Sequence, residues 1–136
     1  MYLYHYSTWT GFLIFESQTV KPSRKYQEWL GRCLISEWPE FVFLTANEYW
    51  EPSVQARSKE QYWEKCGSCP EMYTELGIPC WKFQIGDVVF ESAITDYMWD
   101  VMFNDATKLG SAVNQWMFAS HPVKVIKSWR WLNDRW

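Results

Sequence analysis

The chain has 136 residues, a formal charge of −3 and 20% aromatic side chains, with tryptophan at eleven positions. That length suffices for one domain with a real core, without disulfides or a metal as staples. The mild negative charge gives no general pull toward phosphate backbones or anionic membranes, so nucleic acid is disfavoured as the main partner.

No run approaches the roughly 20 apolar residues that a membrane-spanning helix needs. The first residues lack the charged-then-apolar layout of a secretory signal, so the expectation is a cytoplasmic protein with no membrane partner. The aromatic content exceeds what a core of this size uses, so some Trp and Tyr rings are expected to face ligands, partners or a second copy of the chain. The alternative is a Trp-rich core with several half-exposed rings. Cys33, Cys66, Cys69 and Cys80 are expected to be reduced thiols. Cys66 and Cys69 have zinc-ligand spacing, but no second such pair follows. Zinc, a redox dithiol and incidental cysteines stay open, and no metal site is assigned.

In chain order, Met1-Tyr2-Leu3-Tyr4-His5-Tyr6-Ser7-Thr8 reads as an aromatic-rich strand that delivers a histidine and a pair of hydroxyls to a helix start. Equally, His5 and Tyr6 could be ordinary strand residues beside a Ser/Thr cap. Thr8 is placed to cap a short amphipathic helix with Trp9, Phe12, Leu13 and Phe15 or Glu16 on its apolar side. An extended piece ends at Pro22, and residues 26–35 have the spacing of another short helix, stopped by Trp38-Pro39. Phe41-Val42-Phe43-Leu44-Thr45 is the clearest buried strand, emptying into the polar turn Ala46-Asn47-Glu48.

Charge and Gln dominate residues 53–65, which fit a solvated helix or a loop. Residues 72–77 suggest one helical turn with a glycine stop. Residues 78–85 and 88–91 read as strands that could pair as a hairpin about Gly86-Asp87. Thr95 then caps a helix carrying Met98, Trp99, Met102, Phe103 and Ala106, with Gly110 as its stop. Residues 115–119 and 123–132 read as closing strands around His121-Pro122. Early strands, scattered helices and late strands predict an α+β domain, 1–136, with one mostly antiparallel sheet.

The order His5-Tyr6-Ser7-Thr8, Lys21-Pro22, Phe41-Val42-Phe43-Leu44-Thr45 and Asn47-Glu48-Tyr49-Trp50-Glu51-Pro52 resembles the front half of small ADP-ribosyltransferase-like proteins. It looks most like short phage reading frames of that kind. The resemblance implies a split, twisted sheet gripping NAD in a cleft, without metal. It implies that His5 bonds the ribose beside nicotinamide, that Thr45 is the hydroxyl of the second motif, and that Tyr49 is the aromatic near nicotinamide. The chemistry of such a site needs a carboxylate to orient the ribose and stabilise the cationic sugar as the glycosidic bond breaks.

The late strands offer Ser120-His121-Pro122 where that acid belongs, and histidine supplies no fixed negative charge. Either Glu91 or Glu51 is recruited, or the pocket binds without transferring, which needs fewer assumptions. His5, Glu91 and Glu51 are therefore the candidate catalytic residues. Tyr6, Thr8, Thr45, Asn47, Tyr49, Trp50 and His121 are the candidate ligand contacts.

Three functions follow as expectations. The first is a phage-type counter-defence protein that binds a nucleotide or NAD-derived ligand in the host cell without efficient catalysis. The second is an active mono-ADP-ribosyltransferase or NAD-cleaving enzyme, with NAD as substrate. The third is an inhibitor that binds a host defence protein through exposed aromatics. No cofactor is assigned.

Overall fold

The computed structural model describes residues 2–24, 29, 40–66, 81–86, 96–131 and 136. Six strands form one antiparallel sheet: β1 (Leu3–Ser7), β2 (Thr19–Val20), β3 (Val42–Thr45), β4 (Trp81–Ile85), β5 (Trp116–Ala119) and β6 (Val123–Arg130), in the order β2-β6-β4-β1-β3-β5. Among the described residues it is accompanied by the helices α1 (Phe12–Ser17), entered through a 3-10 turn at Trp9–Gly11, α2 (Pro52–Cys66) and α3 (Asp96–Lys108). The α+β architecture expected from the element order is thus present.

The sheet is curled. Ala119 ends β5 and Val123 begins β6, so the connection can span only about 14 Å fully extended. In a flat sheet, strands four positions apart would lie about 19 Å away from each other. Curling brings them within reach, and an antiparallel bridge between Ser23 and Phe41 ties the chain beyond β2 to the start of β3.

Strand alternation sorts side chains onto the two faces. Leu3, Val20, Val42, Leu44, Phe83, Ile85, Ala119, Val123 and Val125 form one aliphatic core, against which Ile14 and Trp81 pack. His5 shares this face, paired in register with Phe83. On the opposite face Tyr4 and Tyr6 pack with Val54 of α2 and with Trp50, Trp129 and Trp136. A third cluster joins Phe41 and Phe118 to Met102 and Ala106 of α3.

The Met102 and Ala106 stripe is buried as its spacing predicts. Gly110 ends α3 with φ +94°. The Ser111 amide donates to Ala106 at 3.1 Å and the Gly110 amide to Thr107 at 2.9 Å, which is the paired-bond helix stop that a left-handed glycine permits. Residues 53–65 are helical, and Ser53, Val54 and Ser58 are buried rather than solvated.

The apolar side expected for α1 is reversed. Phe12, Leu13 and Phe15 are exposed, and Ile14 is the residue turned to the core. Gly11 fixes this orientation, because it lies so close to Trp81 that a Cβ there would sit 2.5 Å from the indole Cδ1. Phe15 stacks on the same indole with ring centroids 5.1 Å apart. Thr8 makes no side-chain cap bond; its hydroxyl meets that of Thr10 at 2.9 Å. The helix expected at 26–35, the turn at 72–77 and the strand at 88–91 fall outside the described residues, Trp29 apart. β5 and β6 are present, but neither pairs with the other.

Candidate functional site

β1 pairs with β4 along its whole length, from Leu3 with Ile85 to Ser7 with Trp81. With β3 its register holds only at Tyr4 and Thr45 among the described residues. Beyond that pair the two strands part, and both line a cavity of about 590 Å³, within the usual range for small-molecule sites. Residues of both faces of the sheet border it, His5, Val42 and Leu44 from the aliphatic face and Tyr4, Tyr6, Phe43 and Thr45 from the other. The cavity therefore runs along the seam between the two strands. α1 and β2 wall it on one side, and Glu51, Val54 and Arg57 close the other.

Side chains replace part of the missing ladder. The His5 Nδ1–H donates to the Phe43 carbonyl at 2.8 Å, and the Tyr6 hydroxyl donates to the Asn47 carbonyl at 2.6 Å. The first bond fixes the neutral tautomer, because a carbonyl can only accept, and leaves Nε2 as an acceptor. Burial raises the Tyr6 phenol, helped by neighbouring Tyr4, Glu51 and Glu48, so it stays a donor. Burial also holds His5 below its ordinary 6.5, offset in part by the Phe43 carbonyl.

A histidine lowered in the folded state binds fewer protons there than in the unfolded chain. Its contribution to stability is full above about 6.5 and is lost as pH falls from there through the lower folded value. The melting temperature is expected to drop between pH 7 and pH 5.5, and His5→Gln, which can still donate to Phe43, should flatten the drop. An unchanged slope in the variant would show that His5 is not the titrating group.

Glu51 is buried and has a local origin. It precedes Pro52, which suits the first turn of a helix, and it caps α2. Its carbonyl takes the first helical bonds from Val54 and Gln55 at 3.1 and 3.3 Å. Its Oε1 accepts from the Ser53 amide at 3.2 Å, from the Ser53 hydroxyl at 2.7 Å and, in a short bond, from the Ser111 hydroxyl. Its Oε2 accepts from Trp116 Nε1 at 3.0 Å. Four donors, three on Oε1 and one on Oε2, engage the carboxylate, so Glu51 ties α2 to the stop of α3 and to β5.

Of the residues singled out from the sequence, His5, Tyr6, Thr8, Thr45 and Glu51 border the cavity. Asn47 stands just outside, where its Oδ1 accepts from the Tyr49 and Trp50 amides at 2.9 and 3.5 Å and shapes the turn. Tyr49 is 75% exposed. Trp50 packs on Trp131 and Trp136 and bonds Gln55 at 3.0 Å. His121 does not border the cavity, and Glu91 lies outside the described residues.

Sequence reasoning missed Arg57, Thr10, Ser17, Thr19 and Ser23, all in the lining, which also holds Ser7 of the stretch it had singled out. Val54 and Ser58 flank Arg57 at helical spacing and are buried, a pattern legible had residues 53–65 been read as a packed helix. Lys21, noted only beside Pro22, lines the cavity too.

Much of the aromatic surplus is spent within the chain. Lys82, buried, donates to the Glu48 carbonyl at 2.7 Å, and its Nζ lies 4.4, 5.3 and 5.6 Å from the ring centres of Trp129, Tyr4 and Trp136. Burial lowers this lysine's pKa, opposed by Glu48. Among the described residues no group of three or more His, Cys, Asp or Glu is placed to hold a metal, and no helix is long and apolar enough to cross a membrane. Comparison of the chain with family models, with curated proteins and with solved structures finds no match.

Proposed function

We propose that the gap between β1 and β3 binds a nucleotide or NAD-derived ligand, and that the protein holds this ligand without efficient group transfer, as a phage-type counter-defence protein sequestering a host nucleotide would. The observation that carries the reading is a cavity set where the sheet parts, with a neutral, oriented His5 and a wall of hydroxyls around it. Hydroxyls and a histidine acceptor match ribose, and the aromatic residues Tyr4, Tyr6 and Phe43 of the lining suit a base. ADP-ribosyltransferase-like character, suggested by the sequence order around His5 and Thr45, fits a ligand gripped by a parted sheet.

Binding is favoured over transfer by the state of Glu51. A carboxylate that is to orient a ribose must be free to turn toward it, and both oxygens of Glu51 are held by structural donors, three on Oε1 and one on Oε2. A second reading, an inhibitor that docks on a host protein, is favoured by one observation: Phe12, Leu13 and Phe15 stand exposed on α1.

A thermal-shift series with NAD, ADP-ribose and linear and cyclic nucleotides tests the proposal. A ligand bound only by the folded state raises the melting temperature, by an amount set by its concentration over Kd. The expected result is a shift that His5→Ala reduces, with no release of nicotinamide from NAD. No shift with any nucleotide would overturn the binding reading in favour of protein docking; nicotinamide release would replace sequestration with catalysis.

A further inference from the structure

We infer that Lys82 is a positioning residue for the cavity: together with Tyr6 and Trp136 it clasps the turn that runs from Thr45 to Glu51, and so fixes two cavity-bordering residues relative to each other. The inference rests on the nucleotide reading and adds the device that presets its site. Thr45 and Glu51 both border the cavity, and residues 46–50 between them are neither helix nor strand. The shape of such a stretch depends on where its backbone groups bond.

Its amides are met locally. The Ala46 N–H donates to the Gln115 carbonyl and the Asn47 N–H to the Thr45 hydroxyl, each at 3.1 Å, while those of Tyr49 and Trp50 donate to Asn47 Oδ1. Its carbonyls are met from elsewhere in the chain, and in succession. Asn47 accepts from the Tyr6 hydroxyl at 2.6 Å, Glu48 from the Lys82 ammonium at 2.7 Å and Tyr49 from the Trp136 indole N–H at 2.6 Å.

Of these three donors only Lys82 is charged, and a charged donor makes the stronger bond. The sheet places it: its register partners are Tyr6 on β1 and Trp129 on β6. The rings of Trp129, Tyr4 and Trp136 surround its Nζ, so the ammonium is held where it meets the turn. Lys82 does not itself border the cavity, and therefore acts through the turn. Without the Glu48 bond the middle of the turn is slack. A ligand that needs Thr45 and Glu51 in place must then order that backbone on binding, at about tenfold in affinity for each residue fixed.

The test is calorimetric titration of the full chain with ADP-ribose and with NAD, for the parent, Lys82→Met and Lys82→Arg, beside melting curves and amide hydrogen exchange without ligand. Methionine fills the ring box with an apolar side chain of similar length, and exchanging a buried charge for such a chain is close to neutral. Glu48 is exposed, so its carbonyl can turn to water. Lys82→Met should therefore melt within about two degrees of the parent, yet bind about tenfold more weakly. The Asn47, Tyr49 and Trp50 amides should exchange faster in it by about the same factor. Lys82→Arg, which keeps a charged donor, should recover much of the affinity. A role in packing alone would be met by methionine and would leave binding unchanged.

If Lys82→Met keeps the parent affinity, or if Lys82→Arg binds no better than Lys82→Met, the positioning role is overturned while nucleotide binding stands. Unchanged exchange of the turn amides in Lys82→Met overturns it as well. If the parent binds neither ADP-ribose nor NAD, the positioning role falls together with the nucleotide reading.

Discussion

Glu51→Ala is expected to destabilise the protein by about 3–5 kcal/mol, because it strips the acceptor from several buried neutral donors at once. The substitution leaves the Ser53 amide, the Ser53 and Ser111 hydroxyls and the Trp116 indole N–H without their acceptor. Each buried donor left unmet costs about 1–3 kcal/mol. Glu51→Gln should fall between parent and alanine, because the amide keeps one acceptor oxygen and turns a donor toward a donor. Ser111→Ala, which removes one donor and leaves three, should cost far less. Urea unfolding of the three variants orders them directly. A Glu51→Ala protein as stable as the parent would mean that the four bonds do not hold the helices, and the argument against a catalytic Glu51 would lose its basis.

Trp136→Ala is expected to cost about 2–4 kcal/mol, summing several aromatic contacts and one cation–π contact. The indole sits 5.6, 5.2 and 5.0 Å from the rings of Tyr6, Trp50 and Trp131. Its Nε1 donates to the Tyr49 carbonyl at 2.6 Å. It is also one wall of the ring box about Lys82, so its loss opens a buried ammonium to water on one side. Trp136→Phe keeps a ring but no N–H, and should recover about half of the loss. Thermal melts of the two variants check this; a melting temperature within a degree or two of the parent would show that the aromatic box stands without its last member. Tyr6 belongs both to this box and to the cavity wall, so the alanine variant should also weaken any ligand that responds to His5→Ala.

Local pattern carried a good part of the fold. β3 was legible because a run of β-formers follows a proline and ends in a polar turn. α3 was legible because Met102 and Ala106 recur at helical spacing and Gly110 supplies a left-handed stop. Pairing was not legible, since the partners of β1 are β3 and β4, each tens of residues away, and period-two alternation does not specify a neighbour. The orientation of α1 was misread for a related reason. Six residues bury too little for hydrophobicity to set the buried side, and the close approach of Gly11 to Trp81 decides it instead.

The candidate site divides in the same way. His5, Tyr6, Thr8 and Thr45 lie on or beside strands recognised from sequence, and they meet at the cavity. The occupancy of Glu51 depends on Ser111, sixty positions later, and no local motif announces it. Surplus aromatics were expected to face outward, yet Trp50, Trp129, Trp131 and Trp136 are largely spent on one another and on Lys82. Tyr2 and Tyr49 do face outward, at 66% and 75% exposure.

The parting of β1 from β3 also has a mechanical side. It divides the sheet into a unit of β2, β6, β4 and β1 and a unit of β3 and β5. Among the described residues their links between β1 and the β3 segment are the Tyr4 and Thr45 pair, the His5 bond and the Tyr6 bond, and the Ser23 and Phe41 bridge joins the two units at the far edge. A load drawn across the strands meets full ladders within each unit and, between β1 and β3, these few ties among the described residues. A molecule seated in the gap adds bonds along that line, so its binding stiffens the sheet where it is weakest, and the compliance of the whole fold becomes a quantity that the ligand sets.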